Sequence, residues 1–217
     1  LASLGVWVRL HYIYPYPHVK QLIPLMDHKR VLPYLDVPFQ HAHPDVLKRM
    51  ARPSNNVHDL QQISQWRSIN PDLNIRSTFI VGFPGETESE FSFLLDWLEE
   101  AKINRVGCFK YENVSGARSN LMEDHIPDDV IEDRFNRFMI KAQELSESTL
   151  QEKVGKTYTC VIDTVEPEKL ICRTVFDAPE IDGLVYVPKK QTNHCVGDRV
   201  LVKIKASSEY DLEGDLT

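Results

Sequence analysis

At Gly155 the pattern of the sequence changes, and this change restricts the chain to a two-part architecture. Upstream, residues 1 to about 153 alternate segments of strand character with segments of helical spacing. Downstream, short β-rich runs succeed one another with only turn residues between them. Alternation of strand and helix builds β-α-β units on a parallel sheet. Short strands in series build a small antiparallel barrel. The chain therefore reads as α/β: a partial parallel (β/α) barrel fragment over residues 1–154, followed by a small antiparallel β-barrel over residues 155–217.

The upstream strands are expected at Trp7–Tyr14, Leu32–Phe39, Asn74–Val81 and Arg105–Tyr111, too few for a closed eight-stranded barrel. Helices are expected at Val19–His28, Pro44–Met50 and Val57–Ile69. Another should follow Thr87-x-x-Glu90, a capping box in which each side chain satisfies an orphan backbone N–H. Behind it, Phe91, Leu94, Leu95 and Leu98 fall on one helical face. A long amphipathic helix is expected from Pro127 to Lys153, with Val130, Ile131, Phe135, Phe138, Met139, Ala142 and Leu145 as its apolar stripe. Pro127 suits its first turn and Gly155 its end. The downstream strands are TYTCVIDTV, KLICRTV, GLVYVP, DRVLVKIKA and a last piece near Tyr210–Asp215.

Formal net charge is −7, which argues against broad non-specific nucleic-acid binding. No apolar run reaches the roughly 18 residues a membrane span needs, so no membrane is expected, and the chain is read as cytoplasmic. The cysteines, Cys108, Cys160, Cys172 and Cys195, are separated by 52, 12 and 23 residues, which matches no metal-binding spacing. They are read as four free thiols. The first residues lack an initiator Met and enter a strand almost at once, so the chain is expected to be part of a longer protein.

Three places could carry chemistry. The first is Gly82-Phe83-Pro84-Gly85-Glu86-Thr87, behind a predicted parallel strand. Ligands of α/β folds bind at that end of the sheet, and glycine permits positive φ and close backbone approach. A connector built only for turning and capping fits the same residues. Neither GxxxxGK[ST] nor GxGxxG is present. The second is Tyr34-Leu35-Asp36-Val37-Pro38-Phe39-Gln40-His41. Alternation puts Tyr34, Asp36 and Pro38 on one face and leaves Gln40 and His41 at the strand end. Asp36 in an apolar strand must either find a partner or line a cavity. The third is Cys108-Phe109-Lys110-Tyr111, ending the fourth strand.

PYLDVPFQHA, LKRMARP, RSTFIVGFPGETESEF, RVGCFKY and DAPEIDG resemble the methylthiotransferases of the radical S-adenosylmethionine class, over nearly the whole chain. The terminal barrel resembles a TRAM domain. One branch of that family thiomethylates a tRNA adenosine; the other thiomethylates the β-carbon of an aspartate in a small-subunit ribosomal protein. The tRNA branch usually has Gln-Ser-Gly-Ser where this chain has Gln40-His41-Ala42-His43. EYDLEG (Glu209–Gly214) is like the ribosomal-protein branch. Residues 155–217 hold eight Lys or Arg against eleven Asp or Glu, net −3. That balance suits a basic protein partner better than RNA phosphates. The alternatives are the tRNA enzyme and a non-catalytic protein-binding module.

The resemblance implies S-adenosylmethionine and two four-iron clusters in the intact enzyme, and a 5′-deoxyadenosyl radical that takes hydrogen from the substrate carbon. The family's CxxxCxxC is absent from this chain, so no metal ligand is assigned here and the chain alone is expected to be inactive. The residues implied to cradle the cofactor are Asp36, Gln40, His41, Thr78, Ile80, Gly82, Phe83, Gly85, Phe109 and Tyr111. The partner implied is the ribosomal protein, held by the TRAM-like barrel.

Overall fold

The computed structural model describes residues 2–27, 31–52, 56–189 and 193–217. The chain resolves into two compact units, one of Leu1–Leu10, Leu25–Tyr34 and Gln143–Thr217, the other of His11–Pro24 and Leu35–Ala142. Between them the units divide the last helix, at residue 143.

Val8–Leu10 (β1), Val31–Asp36 (β2), Asn74–Val81 (β3) and Arg105–Lys110 (β4) form one sheet in the order β1-β2-β3-β4. β3 and β4 are parallel, with Thr78 opposite Gly107 and Ile80 opposite Phe109. The strand expected at Trp7–Tyr14 is shorter because Tyr12 adopts φ 54° and breaks the extended run. The strand expected to reach Phe39 ends at Asp36. Pro38 brings no N–H to a ladder, yet Gln40 rejoins the sheet through a parallel bridge to Phe79.

The helices are Pro44–Arg49 (α1), Asn56–Ile69 (α2), Glu88–Ala101 (α3) and Asp128–Gln151 (α4). Instead of one helix over Val19–His28, two short 3-10 helices occupy Pro17–Gln21 and Ile23–Leu25. Pro24 cannot donate the N–H that an α-helix would use there. His28 lies outside the described residues. The capping box of α3 is formed: Thr87 Oγ1 accepts from Glu90 N–H at 3.3 Å, and the Glu90 carboxylate accepts from Thr87 N–H at 2.7 Å.

Alternation along β3 buries Ser77, Phe79 and Val81. The Phe79 ring lies 6.0 Å from Trp97 of α3 and 5.7 Å from Phe138 of α4, so these two helices cover that face. Each such large side chain contributes roughly 1.5–3 kcal/mol by leaving water.

In the other unit, Thr157–Val165 (β5), Lys169–Thr174 (β6), Val185–Pro188 (β7), Arg199–Ser207 (β8) and Leu212–Leu216 (β9) close a barrel in the order β5-β6-β7-β9-β8. Its core holds Cys160, Ile162, Leu170, Cys172, Val185, Val202 and Ile204. Tyr34, expected on a face with Asp36, belongs to this unit. Its hydroxyl donates to Asp182 at 2.7 Å, and Asp182 also accepts from Ala178 N–H.

Candidate functional site

The face of β3 opposite α3 and α4 is open. Thr78 and Ile80 are half-buried on it, and their register partners Gly107 and Phe109 share it. Phe109 is 66% exposed. A Cβ built on Gly107 would meet only Thr78 Oγ1, at 3.8 Å. A hydroxyl, a free aromatic face and bare backbone with room above it thus lie side by side. This is the equipment of a site for a flat, partly polar small molecule. Gly107 was missed in the sequence reading, because a glycine inside a short strand gives only a weak signal of close approach.

Gln40 lies beyond β2, joined to β3 by a parallel bridge to Phe79. Its φ is 70°, a left-handed backbone that is costly for a side-chain-bearing residue. The conformation is held by Gln40 N–H donating to Thr78 O at 3.0 Å and by Gln40 O accepting from Ile80 N–H at 2.8 Å. Asp36, 1% exposed, is satisfied. It accepts from Arg76 at 3.2 Å and from Tyr12 N–H at 3.3 Å, and lies 3.5 Å from His11 Nδ1. These partners meet the need of a buried carboxylate for compensation.

The Gly82–Thr87 loop turns its backbone toward protein. Gly82 has φ 78°, and a Cβ there would lie 2.5 Å from Ile131 Cγ1 of α4. Its N–H donates to Glu86 Oε2 at 2.9 Å. Gly85 has φ 77° and donates its N–H to Asp124 O at 2.7 Å. Phe83 packs edge-on against Tyr111 at 5.2 Å, and Tyr111 reaches Asn120 through its hydroxyl at 3.4 Å. The structure thus gathers Thr78, Ile80 and Phe109 on the open face, with Gln40 joined to the same strand through its backbone. It sets Gly82, Phe83, Gly85 and Tyr111 in the packed connector beside that face.

Behind the loop lies a buried polar cluster, two members of which the sequence reading missed. Arg134 of α4 donates to Glu86 Oε1 at 2.9 Å and to Glu86 O at 2.9 Å; Arg134 is 4% exposed and Glu86 2%. A signal existed: Arg134 falls three residues after Ile131 and four before Phe138, on the apolar stripe itself, where a cation requires a partner. His41, fully buried, accepts from His43 N–H through Nδ1 at 2.9 Å. A nitrogen that accepts carries no proton, so the ring is neutral with its proton on Nε2. His41 Nε2 is 3.7 Å from Glu86 Oε2. With a neutral ring this contact is not an ion pair.

Burial pushes the Glu86 carboxyl up to about 7, against the pull of Arg134 and the Gly82 N–H. Burial also holds His41 down to about 3. As pH rises from about 4.5 through 7, the unfolded state releases the Glu86 proton first, so this group's contribution to stability falls. As pH falls from about 6.5 toward 3, the unfolded state protonates His41 first, so this contribution also falls. Between pH 4.5 and 6.5 the two trends oppose each other. Glu86→Gln removes the first, so its melting temperature should climb more steeply with pH over that window than that of the unaltered protein. Equal slopes would refute the assignment.

His43, Asp45 and Glu90 place one ligand atom each within 4.8 Å of one another. Two of the three are engaged elsewhere: His43 Nδ1 accepts from Asp45 N–H, and the Glu90 carboxylate is held by Arg49 at 2.8 Å and by Thr87. Among the described residues no helix is long and apolar enough to cross a membrane.

The TRAM domain family model matches residues 154–216, the segment that forms the barrel. Ribosomal protein uS12 methylthiotransferase RimO of Roseobacter denitrificans is 58% identical over 216 residues, covering 100% of this chain and 47% of its own length. The RimO of Vibrio cholerae is 57% identical over 216 residues, covering 100% of this chain and 46% of its own. The chain thus spans about half the length of the curated relatives it matches. Among solved structures, coproporphyrinogen III oxidase (HemN) from Escherichia coli, a radical SAM enzyme, superposes with a TM-score of 0.52 at 14% identity. It covers 81% of this chain and 45% of that one, a likeness of fold. Identity of this order along its entire length shows that the chain belongs to the RimO methylthiotransferase family.

Proposed function

We propose that this chain is the cofactor-cradling and partner-holding part of a cytoplasmic radical S-adenosylmethionine enzyme. The reaction replaces a C–H on the β-carbon of an aspartate in ribosomal protein uS12 by a methylthio group. The observation that carries this reading is the identity above 50% to uS12 methylthiotransferases across the sheet and the barrel alike.

The open face fits S-adenosylmethionine. Phe109 offers a ring for a purine to stack on, Gly107 leaves clearance, and Thr78 and Gln40 supply hydrogen-bonding groups at the edges. Ile80 adds apolar surface between them. When bound, the cofactor supplies the one-electron chemistry that opens an unactivated C–H bond. This chain's residues hold and orient it and limit water around it.

The chain's own cysteines do not fit iron–sulfur clusters, which need accessible thiolates gathered at one place. Cys160 and Cys172 are in the barrel core, where burial pushes the Cys172 thiol up to about 11 and the Cys160 thiol higher still. Burial also raises Cys108, and Cys195 is exposed. The two clusters of the intact enzyme are therefore assigned to residues outside this chain.

We assign residues 155–217 to partner binding as a TRAM-like domain, with residues 1–154 as the barrel portion. The acidic excess of residues 155–217 sits in turns, at the exposed Glu168, Glu180, Asp198 and Glu209. The strands carry the exposed Lys169, Arg199, Lys203 and Lys205. The turns are accordingly the part suited to a basic ribosomal protein.

The test uses the full-length protein that contains this chain, incubated with uS12 and, separately, with tRNA. The expected result is one added methylthio group on a uS12 aspartate by mass spectrometry; modification of a tRNA adenosine instead would overturn the reading. In the same protein, Gly107→Val should lower S-adenosylmethionine binding more than about tenfold, a loss of roughly 1.4 kcal/mol. Its melting temperature should stay near that of the unaltered protein, because the space above Gly107 is open. Unchanged binding would remove the open face from the site.

A further inference from the structure

Beside the open face, the same unit contains a cleft of about 690 Å³ to which nothing above assigns a role. Gln40 forms one end of it, and the cleft runs from there over α1 and α2. Three features of its lining bear on what it could hold.

The first is a set of carboxamides from two elements, Gln40 beyond β2 and Gln62 and Gln65 on α2. A carboxamide both donates and accepts, so it pairs with the N–H and C=O of a peptide backbone running in either direction. A phosphate backbone would use only its donor half. The second is Tyr14, its ring 4.5 Å from that of Tyr16, a rigid amphipathic wall of the kind that peptide-binding surfaces use. The third is a pair of exposed cations, Lys20 and Arg52, against a single carboxylate of the lining, Asp59, so the charge there is net positive. Among the described residues, neither has a carboxylate within ion-pair distance. Two left-handed, non-glycine residues hold this lining: Gln40 at φ 70° and Ala51, next to Arg52, at φ 53°. Strain of this kind persists where the surroundings over-determine it, and it gathers at binding sites.

We propose that this cleft is the substrate subsite for an extended peptide segment. Gln40, Gln62 and Gln65 would engage its backbone, and Lys20 and Arg52 would receive the carboxylate of its aspartate. The proposal rests on the reading above that the substrate is a protein aspartate. It adds where the segment lies and which residues select its acidic side chain. Gln40 lines the cleft and is bonded through its backbone carbonyl to the N–H of Ile80, one of the residues assigned to the cofactor. A peptide in the cleft therefore passes next to the end of the strand that carries Thr78 and Ile80.

The test measures fluorescence anisotropy of labelled peptides on the full-length protein. One peptide spans the modified aspartate of uS12, and a second carries asparagine in its place. The unaltered protein should bind the aspartate peptide about tenfold more tightly, as charge-assisted pairs do. The double variant K20Q/R52Q should bind both peptides equally, at the weaker level. Q62A/Q65A should weaken both by the same factor and leave their ratio intact. Full aspartate preference in K20Q/R52Q, or unaltered binding by Q62A/Q65A, would overturn the proposal. Two further outcomes separate it from the functional reading. Modification of uS12 by K20Q/R52Q at the unaltered kcat/KM would keep the function and remove the cleft. Failure of the unaltered protein to bind either peptide, together with modification of tRNA, would remove both.

Discussion

At pH 8, where the Glu86 carboxyl is ionised, Glu86→Ala is expected to destabilise the protein by about 3–5 kcal/mol, the usual loss when one partner of a buried ion pair is removed. Arg134 would keep its bond to the Glu86 carbonyl but lose its carboxylate at 2.9 Å. What remains is Glu88 at 3.5 Å, on an exposed side chain, which screens far less well than a buried partner. The Gly82 N–H, buried with its acceptor gone, would add to the loss. The penalty lies in the orphaned cation rather than in the worth of the pair. The double variant Glu86→Leu with Arg134→Met should therefore recover most of the stability, since a buried pair replaced by apolar groups of similar volume is often nearly neutral. Urea unfolding of the three proteins decides it. A Glu86→Ala variant within about 1 kcal/mol of the parent would show that Arg134 finds another partner.

Gly82→Ala should cost about 2–5 kcal/mol, from two sources that can be separated. An L-residue held at φ 78° costs about 1–2 kcal/mol. The new methyl also falls within 2.5–3.0 Å of the Ile131 side chain, and overpacking of that kind costs about 1–3 kcal/mol more. Adding Ile131→Ala to Gly82→Ala should remove the steric part and leave the backbone part. The two substitutions should then be non-additive by more than about 0.5 kcal/mol. Strict additivity would mean that α4 does not press on the loop. Gly107→Ala is the counterpart, expected to change stability by less than about 0.5 kcal/mol, apart from the usual small preference of strands for a side chain.

These two glycines show how the candidate site divides between sequence and structure. Gly82 stands behind a strand in a motif that draws the eye to a ligand, yet its missing side chain makes room for Ile131, and its amide is taken by Glu86. Gly107 sits inside a strand in no motif, yet it opens the clear space beside Thr78. Gln40, marked by its place at a strand end, lines the cleft and is bonded to β3 through its backbone. Asp36, marked for its polarity, is held by Arg76 and the Tyr12 amide.

What was legible in the residues alone is what depends on near neighbours. The two-part architecture follows from hydrophobic period, which changes at Gly155. The start of α3 follows from Thr87 and Glu90, three positions apart. What could not be read depends on partners brought together by folding. Glu86 meets Arg134 across 48 residues of chain; the place of Arg134 on the apolar stripe of α4 calls for a partner, but no local pattern says that the partner is Glu86. Whether Gly82 faces a ligand or a helix turns on where Ile131 lands. Tyr12 and Gln40 adopt left-handed backbone against their intrinsic preference, in Gln40 because two hydrogen bonds to β3 outweigh it. Local periodicity selects elements and their buried faces. Which bare backbone stays open to a ligand is selected by the long-range packing of α4 and β4 against β3.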